Sequence, residues 1–167
     1  MRKLTLNFSY EELIHSDMAA RRGWDNSPND EVIDLNLSRL ATLLQKIRDY
    51  LGKPIMINSG YRSKQLNDAV GSKDSSQHRR GCAADIRSPG MTAKELMEHI
   101  VRNGFGYDQC ILEFDSWVHI SVPEGDKPLR GNALVINRQG VKQFNVNNYR
   151  FDEVNSTTSE LKFTRKN

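Results

Sequence analysis

The chain has 167 residues, of which 37% are hydrophobic and 27% are charged, and its net charge is +3. This length suits one compact domain with a tail and leaves little room for a second domain. No apolar run approaches the roughly 20 residues that a membrane-spanning helix needs, and the basic residues alternate with acidic ones instead of forming a stripe. The composition therefore argues against a membrane span and against a dedicated role in nucleic-acid binding.

The N-terminal sequence MRKLTLNFSYEEL begins with a basic pair but lacks the apolar segment of a secretory signal peptide. Cys82 and Cys110 are too few for a disulfide framework, and we interpret both as buried thiols. The sequence thus predicts a protein that is made in a reducing cytoplasm and that reaches any target outside the cell by another route.

Two helices are predicted in the N-terminal third. Residues 8–20 resemble a short docking helix in which Ser9 is the N-cap and Glu12 completes a capping box. A long helix follows, with Ser27 as its predicted cap and Pro28 as its first residue. Its apolar residues recur every three or four positions, which is typical of a helix with one face in the core. These residues are Ile33, Leu37, Leu40, Leu44, Ile47 and Leu51.

Short β-rich and helical segments alternate in the middle of the chain. PIMIN (54–58) and CAADI (82–86) are predicted strands, with a short helix over residues 64–70 between them. Thr92 and Glu95 form a further capping box, which opens a helix. The sequence therefore predicts mixed helices and strands.

The C-terminal half contains further β-rich segments. QCILEF (109–114) and WVHISV (117–122) are predicted to form a hairpin or one bent strand. Residues 124–167 are polar and asparagine-rich apart from ALVIN (133–137), which we interpret as an appended strand. The remainder of this segment is expected to be a loosely held or partner-bound tail.

Two candidate metal ligands lie in SSQHRRGCAADI. His78 and Asp85 are seven positions apart, a spacing that cannot place both on one helical face, so they would meet through a turn and a strand. Gly81 permits the turn, and the small side chains of residues 82–84 let the backbone pack closely behind a metal. This stretch predicts part of a metal site.

A third ligand is available in ILEFDSWVHISV, where four side chains share one parity and so one face of a continuous strand. They are Glu113, Asp115, Trp117 and His119. With His119 the ligand set becomes His, Asp and His with an open position for water, which is typical of a catalytic zinc site. Glu113 or Asp115 could take a proton from the attacking water. A turn near Ser116 would break this alternation.

Three further side chains are ambiguous. Arg62 in SGYRS could hold a substrate carboxylate or an oxyanion, or it could pair with a carboxylate of the protein. Trp117 could form a wall of a cleft or be an ordinary core residue. Ser76 could contact substrate or only cap the loop.

The motif S-x-H-x-x-G-x-A-x-D resembles the signature of the zinc D-Ala-D-Ala carboxypeptidase superfamily. In this chain it is filled by Ser76, His78, Gly81, Ala83 and Asp85. The superfamily includes D,D-dipeptidases, phage L-alanyl-D-glutamate endolysins and the amino-terminal signalling domain of Hedgehog. SGYRS before this motif and WVHIS after it resemble the same superfamily in the same order, and the likeness covers roughly residues 8–122.

The resemblance implies one zinc ion, with three ligands. They would be His78, Asp85 and His119. It also implies that Arg62 anchors substrate and that Ser76 hydrogen-bonds substrate. Trp117 is a further candidate for contact with substrate because it shares the strand face of His119.

The resemblance implies Glu113 as the catalytic carboxylate. Several members place this residue three positions before the last histidine, where the present chain has Ser116. Glu113 is therefore our first choice, and Asp115 is the reserve.

We expect an α+β domain like those of Hedgehog and the D,D-peptidases, with a small, mainly antiparallel sheet flanked by helices. Residues 1–122 would form this zinc peptidase-like domain, and residues 123–167 a C-terminal extension. The implied function is a zinc metallopeptidase that cleaves an amide bond in peptidoglycan stem peptides, as a carboxypeptidase or an endopeptidase. The alternative is a non-catalytic zinc-containing binding or virion-structural module.

We expect a monomer whose partner is the stem peptide and not nucleic acid. It would act on the cell wall as a phage lysis protein or a tail-associated enzyme, and a role in the bacterial cytoplasm is the alternative.

Overall fold

The computed structural model describes residues 1–145, together with the backbone of residues 149–153 and 161–165. The helices are α1 (Tyr10–Ile14), α2 (Asp17–Arg22), α3 (Glu31–Leu51), α4 (Lys64–Ala69) and α5 (Ala93–Arg102), and a 3-10 turn spans Gln77–Arg80. The strands are β1 (Met56–Ser59), β2 (Ala83–Arg87), β3 (Gln109–Glu113), β4 (Trp117–Ser121), β5 (Asn132–Asn137), β6 (Gly140–Gln143), β7 (Tyr149–Glu153) and β8 (Leu161–Arg165).

Strands β1 to β6 form one sheet in the order β1-β2-β4-β3-β5-β6. Strands β3 and β5 are parallel, and the other neighbouring pairs of this sheet are antiparallel. Strands β7 and β8 pair with each other in a separate antiparallel ribbon. The expected α+β domain with a mainly antiparallel sheet flanked by helices is confirmed.

One apolar core joins the helices to the sheet. The periodic face of α3, the apolar face of α5 and the inner faces of β2 and β4 all contribute fully buried side chains. They include Leu37, Leu40, Leu44, Ile47, Leu96, Met97, Ile100, Ile86, Val118 and Ile120. Each such side chain contributes roughly 1.5–3 kcal/mol relative to exposure in water. The core therefore fixes the backbone of β2 and β4. Cys82 and Cys110 are buried free thiols, as predicted.

The helix starts differ in part from the sequence prediction. Residues 8–20 form two short helices because Ser16 caps a second one, accepting the backbone N–H of Ala19. The prediction that Ser27 caps the long helix is wrong. Asp30 caps α3 because its side chain accepts the N–H of Val32 over 2.8 Å. The backbone N–H of Ser27 instead donates to Oδ1 of Asp25 in the preceding loop.

Other predictions of local structure are confirmed. Thr92 and Glu95 form the capping box of α5. Strands β3 and β4 form a hairpin, and Phe114 and Asp115 in its turn both have φ of 51°. The appended strand is β5, so part of the predicted extension belongs to the main sheet. The prediction of a loosely held tail falls partly on residues 146–148, 154–160 and 166–167, which lie outside the described residues.

Among the helices of the described residues, none is both long and apolar enough to cross a membrane.

Candidate metal centre

Three different elements bring the predicted ligands together. His78 lies in the 3-10 turn, Asp85 on β2 and His119 on β4. Asp85 and His119 are direct partners in the antiparallel register of β2 and β4, so their side chains leave the same face of the sheet. The turn ends at Gly81, whose φ of +70° is left-handed and where a Cβ would press against Ile33 of α3. The predicted turn and strand therefore span the seven positions between the first two ligands.

The three side chains form a buried cluster. Oδ1 of Asp85 lies 3.2 Å from Nε2 of His78 and 3.3 Å from Nδ1 of His119. The three residues are 2%, 6% and 8% exposed in the order His78, Asp85 and His119. One ligand atom from each lies within 4.8 Å of the others. Two imidazoles and one carboxylate at this separation have the donor chemistry of a zinc site.

His78 carries the clearest indication of a cation-binding role. Its Nδ1 lies 2.7 Å from the carbonyl oxygen of Gly60, which can only accept, so Nδ1 carries the proton and Nε2 is bare. Within the described part of the chain this buried Nε2 has no hydrogen-bond partner. A buried, bare nitrogen beside a carboxylate is arranged as a metal ligand is, and the residues therefore fit the implied ion.

Gly60 holds this carbonyl in place through a close packing contact. A Cβ on Gly60 would overlap the carbonyl oxygen of Leu13 in α1, which accepts the backbone N–H of Tyr61 over 2.8 Å. Only glycine allows helix α1 to approach so closely. The first helix therefore supports the hydrogen bond that orients His78.

Asp85 is held as a carboxylate. Burial opposes its ionisation, but the close approach of the His119 and His78 imidazoles holds the pKa of this carboxyl well below its usual range. Its second oxygen, Oδ2, accepts from Nη2 of Arg62 over 3.3 Å. Oδ1 is therefore the oxygen that faces both histidines.

Arg62 lies beside the cluster and is mostly enclosed, with its side chain 13% exposed. Besides Asp85, its guanidinium donates to Oγ of Ser59 over 3.0 Å and to Oδ1 of Asn67 over 3.4 Å. These contacts fix the plane of the guanidinium. Arg62 therefore orients the carboxylate of Asp85 in addition to lining the adjacent cleft.

Glu113 and Trp117 lie on the same sheet face as His119. They form the pair of the β3–β4 hairpin next to the turn, and Oε1 of Glu113 lies 3.9 Å from Nδ1 of His119. The indole of Trp117 donates to Oε2 of Glu113 over 3.1 Å. Burial raises the pKa of Glu113, and the negative charge of Asp85 raises it further.

Asp115 is not brought to the cluster. It lies in the hairpin turn and lines a separate cleft together with Leu112 and Val135. The turn breaks the alternation that would have placed it beside Glu113.

The cluster reaches a cleft of about 870 Å³ through Asp85. Its walls include Arg62, Asp85, Arg87, Glu113 and Trp117. The cleft is large enough for part of a peptide.

Ser76 lies next to the site, at the start of the 3-10 turn. Its Oγ accepts the backbone N–H of His78 over 3.3 Å, so it caps the turn that carries this histidine. A contact of Ser76 with substrate stays a prediction.

Sequence reasoning missed the groups that orient the ligands. Besides Gly60 and Asn67 these include Gln77, whose Oε1 lies 3.3 Å from Nε2 of His119, and Asp108, which accepts from Gln77. The one available signal was the position of Gln77 next to His78. The direction of the Gln77 side chain could not be predicted, since a 3-10 turn has no side-chain alternation.

A search of curated proteins found no match. The family model described as Peptidase M15 matches residues 6–121, which is well over half of the 167 residues and includes all three clustered side chains. The chain belongs to the Peptidase M15 family.

Proposed function

We propose that the protein is a zinc-dependent peptidase that hydrolyses an amide bond in peptidoglycan stem peptides. The observation that carries the proposal is the buried cluster of His78, Asp85 and His119, with a bare imidazole nitrogen and with Glu113 beside it. Family membership supports a peptidase. The choice of stem peptides rests on the resemblance of SGYRS, the histidine and aspartate motif and WVHIS to carboxypeptidases and endolysins.

The ion would be held by Nε2 of His78, Oδ1 of Asp85 and Nδ1 of His119, since these three atoms converge. When bound, zinc supplies a Lewis acid that polarises a carbonyl and lowers the pKa of water at the site to about 7.

Glu113 is the proposed general base. Trp117 occupies its Oε2, so Oε1, on the side of the cluster, is the oxygen that takes a proton from the attacking water. The same carboxyl then returns the proton to the leaving amine. Its burial favours this second step, because burial raises the pKa of the carboxyl and the protonated form persists for longer.

Arg62 is the proposed anchor for a substrate carboxylate or carbonyl. A guanidinium has five N–H donors, and the three contacts of Arg62 with Ser59, Asn67 and Asp85 leave others for a ligand in the cleft. Trp117 would contact the peptide as one wall of this cleft. We place the action of the enzyme at the cell wall, as a phage lysis protein or a tail-associated enzyme.

The test combines metal analysis with cleavage of purified peptidoglycan. We expect one zinc per chain in wild type, muropeptide products identified by mass spectrometry, and loss of these products in Glu113→Gln with zinc retained. Absence of zinc and of zinc-stimulated cleavage in wild type would refute the proposal. Equal inactivity of both proteins, with zinc and peptidoglycan binding intact, would indicate a binding module instead.

A further inference from the structure

We propose that Gln77, Asp108 and Arg130 form a positioning chain that determines which nitrogen of His119 faces the metal. The inference rests on the zinc site of the proposed function. It also extends the metal centre beyond residue 121, where the match to the family model ends, since Arg130 lies in the segment that follows.

The first member of the positioning chain is the carboxylate of Asp108, which Arg130 holds tightly. Asp108 is 3% exposed and receives Nη2 of Arg130 at Oδ2 over 2.6 Å and Nε of Arg130 at Oδ1 over 3.0 Å. The backbone N–H of Arg130 also donates to Oδ1, over 3.1 Å. A carboxylate buried to this extent needs such partners to stay ionised. Arg130 thus keeps Asp108 as an acceptor.

Asp108 then sets the direction of the Gln77 amide. Oδ2 of Asp108 lies 2.8 Å from Nε2 of Gln77, and because an ionised carboxylate can only accept, Gln77 must present its NH₂ group to it. The carbonyl end of the amide is consequently directed away from Asp108. It lies 3.3 Å from Nε2 of His119.

The Gln77 carbonyl in turn sets the tautomer of His119. Because this oxygen can only accept, Nε2 of His119 carries the proton. Nδ1, which lies 3.3 Å from Oδ1 of Asp85, is then the bare nitrogen. The bare nitrogen is the one that can ligate a metal.

The two histidines are therefore oriented by unlike groups. The backbone carbonyl of Gly60, which orients His78, can only accept a hydrogen bond. The side-chain amide of Gln77 could instead rotate by about 180° and exchange the positions of its oxygen and its NH₂ group. A reversed amide would point NH₂ at His119 and favour the tautomer that is unable to ligate through Nδ1. Asp108 and Arg130 prevent this reversal.

The C-terminal segment brings Arg130 to this position. The N–H of Asn132, at the start of β5, donates to the backbone carbonyl of Asp108 over 3.0 Å, and β5 continues from there in parallel with β3. The loop before β5 is thereby fixed against Asp108, the residue that precedes β3. Residues beyond the family match thus contribute to the metal centre.

Two variants of the 167-residue protein test the positioning chain. Gln77→Met keeps the size of the side chain but removes the acceptor, and we expect zinc affinity, measured by competition with a chelator, to fall about 10- to 100-fold. The double variant Gln77→Glu/Asp108→Asn exchanges the donor and acceptor between the two positions and still offers an oxygen to His119. We expect it to regain most of the lost affinity, which a merely structural role would not produce.

A spectroscopic readout and a matched control complete the test. In zinc-loaded wild type, imidazole ¹⁵N spectra should show His119 protonated at Nε2. Arg130→Gln, at a side chain 52% exposed, should weaken zinc binding severalfold without unfolding the protein. Arg80→Gln should leave the affinity unchanged, since Arg80 and Gln77 line a second cleft, separate from that of Arg62, but Arg80 pairs with Glu124.

Each result decides the proposal. It is overturned if wild type binds zinc and Gln77→Met binds it equally well, if His119 is protonated at Nδ1, or if Arg80→Gln and Arg130→Gln behave alike. If Gln77→Met does not fold, the Arg130→Gln comparison and the ¹⁵N spectra of wild type still decide. If wild type itself binds no zinc, the proposed function falls together with this inference.

Discussion

Trp117 and Glu113 face each other in the β3–β4 hairpin, next to its turn, and the indole N–H of Trp117 donates to Oε2 of Glu113 over 3.1 Å. This bond fixes one oxygen of the carboxylate and leaves the other beside His119. The aromatic ring therefore does more than line the cleft.

Trp117→Phe keeps an aromatic wall but removes the N–H donor. We expect kcat to fall about tenfold with little change in KM, because the base loses its orientation while the substrate surface is retained. Steady-state kinetics on a stem peptide would measure this. A raised KM with unchanged kcat would instead make Trp117 a substrate contact alone.

The two candidate bases can be separated directly. Glu113→Gln should lower kcat by roughly 10²- to 10⁴-fold, since the neutral amide cannot accept the proton. Asp115→Asn should have a far smaller effect, because this residue lines a different cleft. Zinc content is measured in both variants, and a larger loss of kcat in Asp115→Asn would reverse the assignment.

Arg62→Lys keeps the positive charge but loses the planar fork that holds Asp85. If the main role of Arg62 is to orient this ligand, zinc affinity should fall about tenfold. Arg87→Lys, at an exposed residue of the same cleft, is the matched control. A raised KM with unchanged zinc affinity would show that Arg62 acts on substrate alone.

The ion pair of Asp108 should make stability depend on pH. Hydrogen bonds from Arg130 hold the pKa of Asp108 below its ordinary value, which is about 3.9. A carboxyl with a lowered pKa in the folded state stabilises that state above the ordinary pKa, and this contribution is lost as pH falls through the lowered value. Urea unfolding of the zinc-free protein should therefore show the largest deficit of Asp108→Asn near pH 7.

This deficit should shrink as pH falls below about 4. Asp74→Asn is the control, because Asp74 pairs with Arg79 at the surface with its side chain 69% exposed, and such pairs contribute little. A deficit of Asp108→Asn that is equal at pH 7 and pH 3 would contradict the prediction.

Local signals allowed much of the fold and the clustering of His78, Asp85 and His119 to be predicted. The apolar period of α3 and the capping box at Thr92 are encoded within a few residues, so both helices were recognisable. The start of α3 is ambiguous in the sequence because Ser27 and Asp30 both suit a cap, and in the structure Asp30 takes this role. Local patterns are weakest where neighbouring residues compete for one role.

Features that depend on distant contacts could not be predicted. Strand parity grouped Asp115 with Glu113, and only the hairpin turn separates them. The parallel pairing of β5 with β3 joins segments that are not adjacent in the chain, so no local pattern indicates it. Arg130 was overlooked for the same reason.

The contact of Gly60 with Leu13 links His78, a proposed metal ligand, to the N-terminal segment. Helix α1 has five residues, too few to be stable by itself in water. Any ion that binds only the folded protein adds to the stability of the fold, and here that gain is transmitted to an otherwise weak N-terminal segment. We therefore expect limited proteolysis to cleave the N-terminal segment slowly in the zinc-bound protein. After zinc is removed with a chelator, this segment should be the first part of the protein to be cleaved.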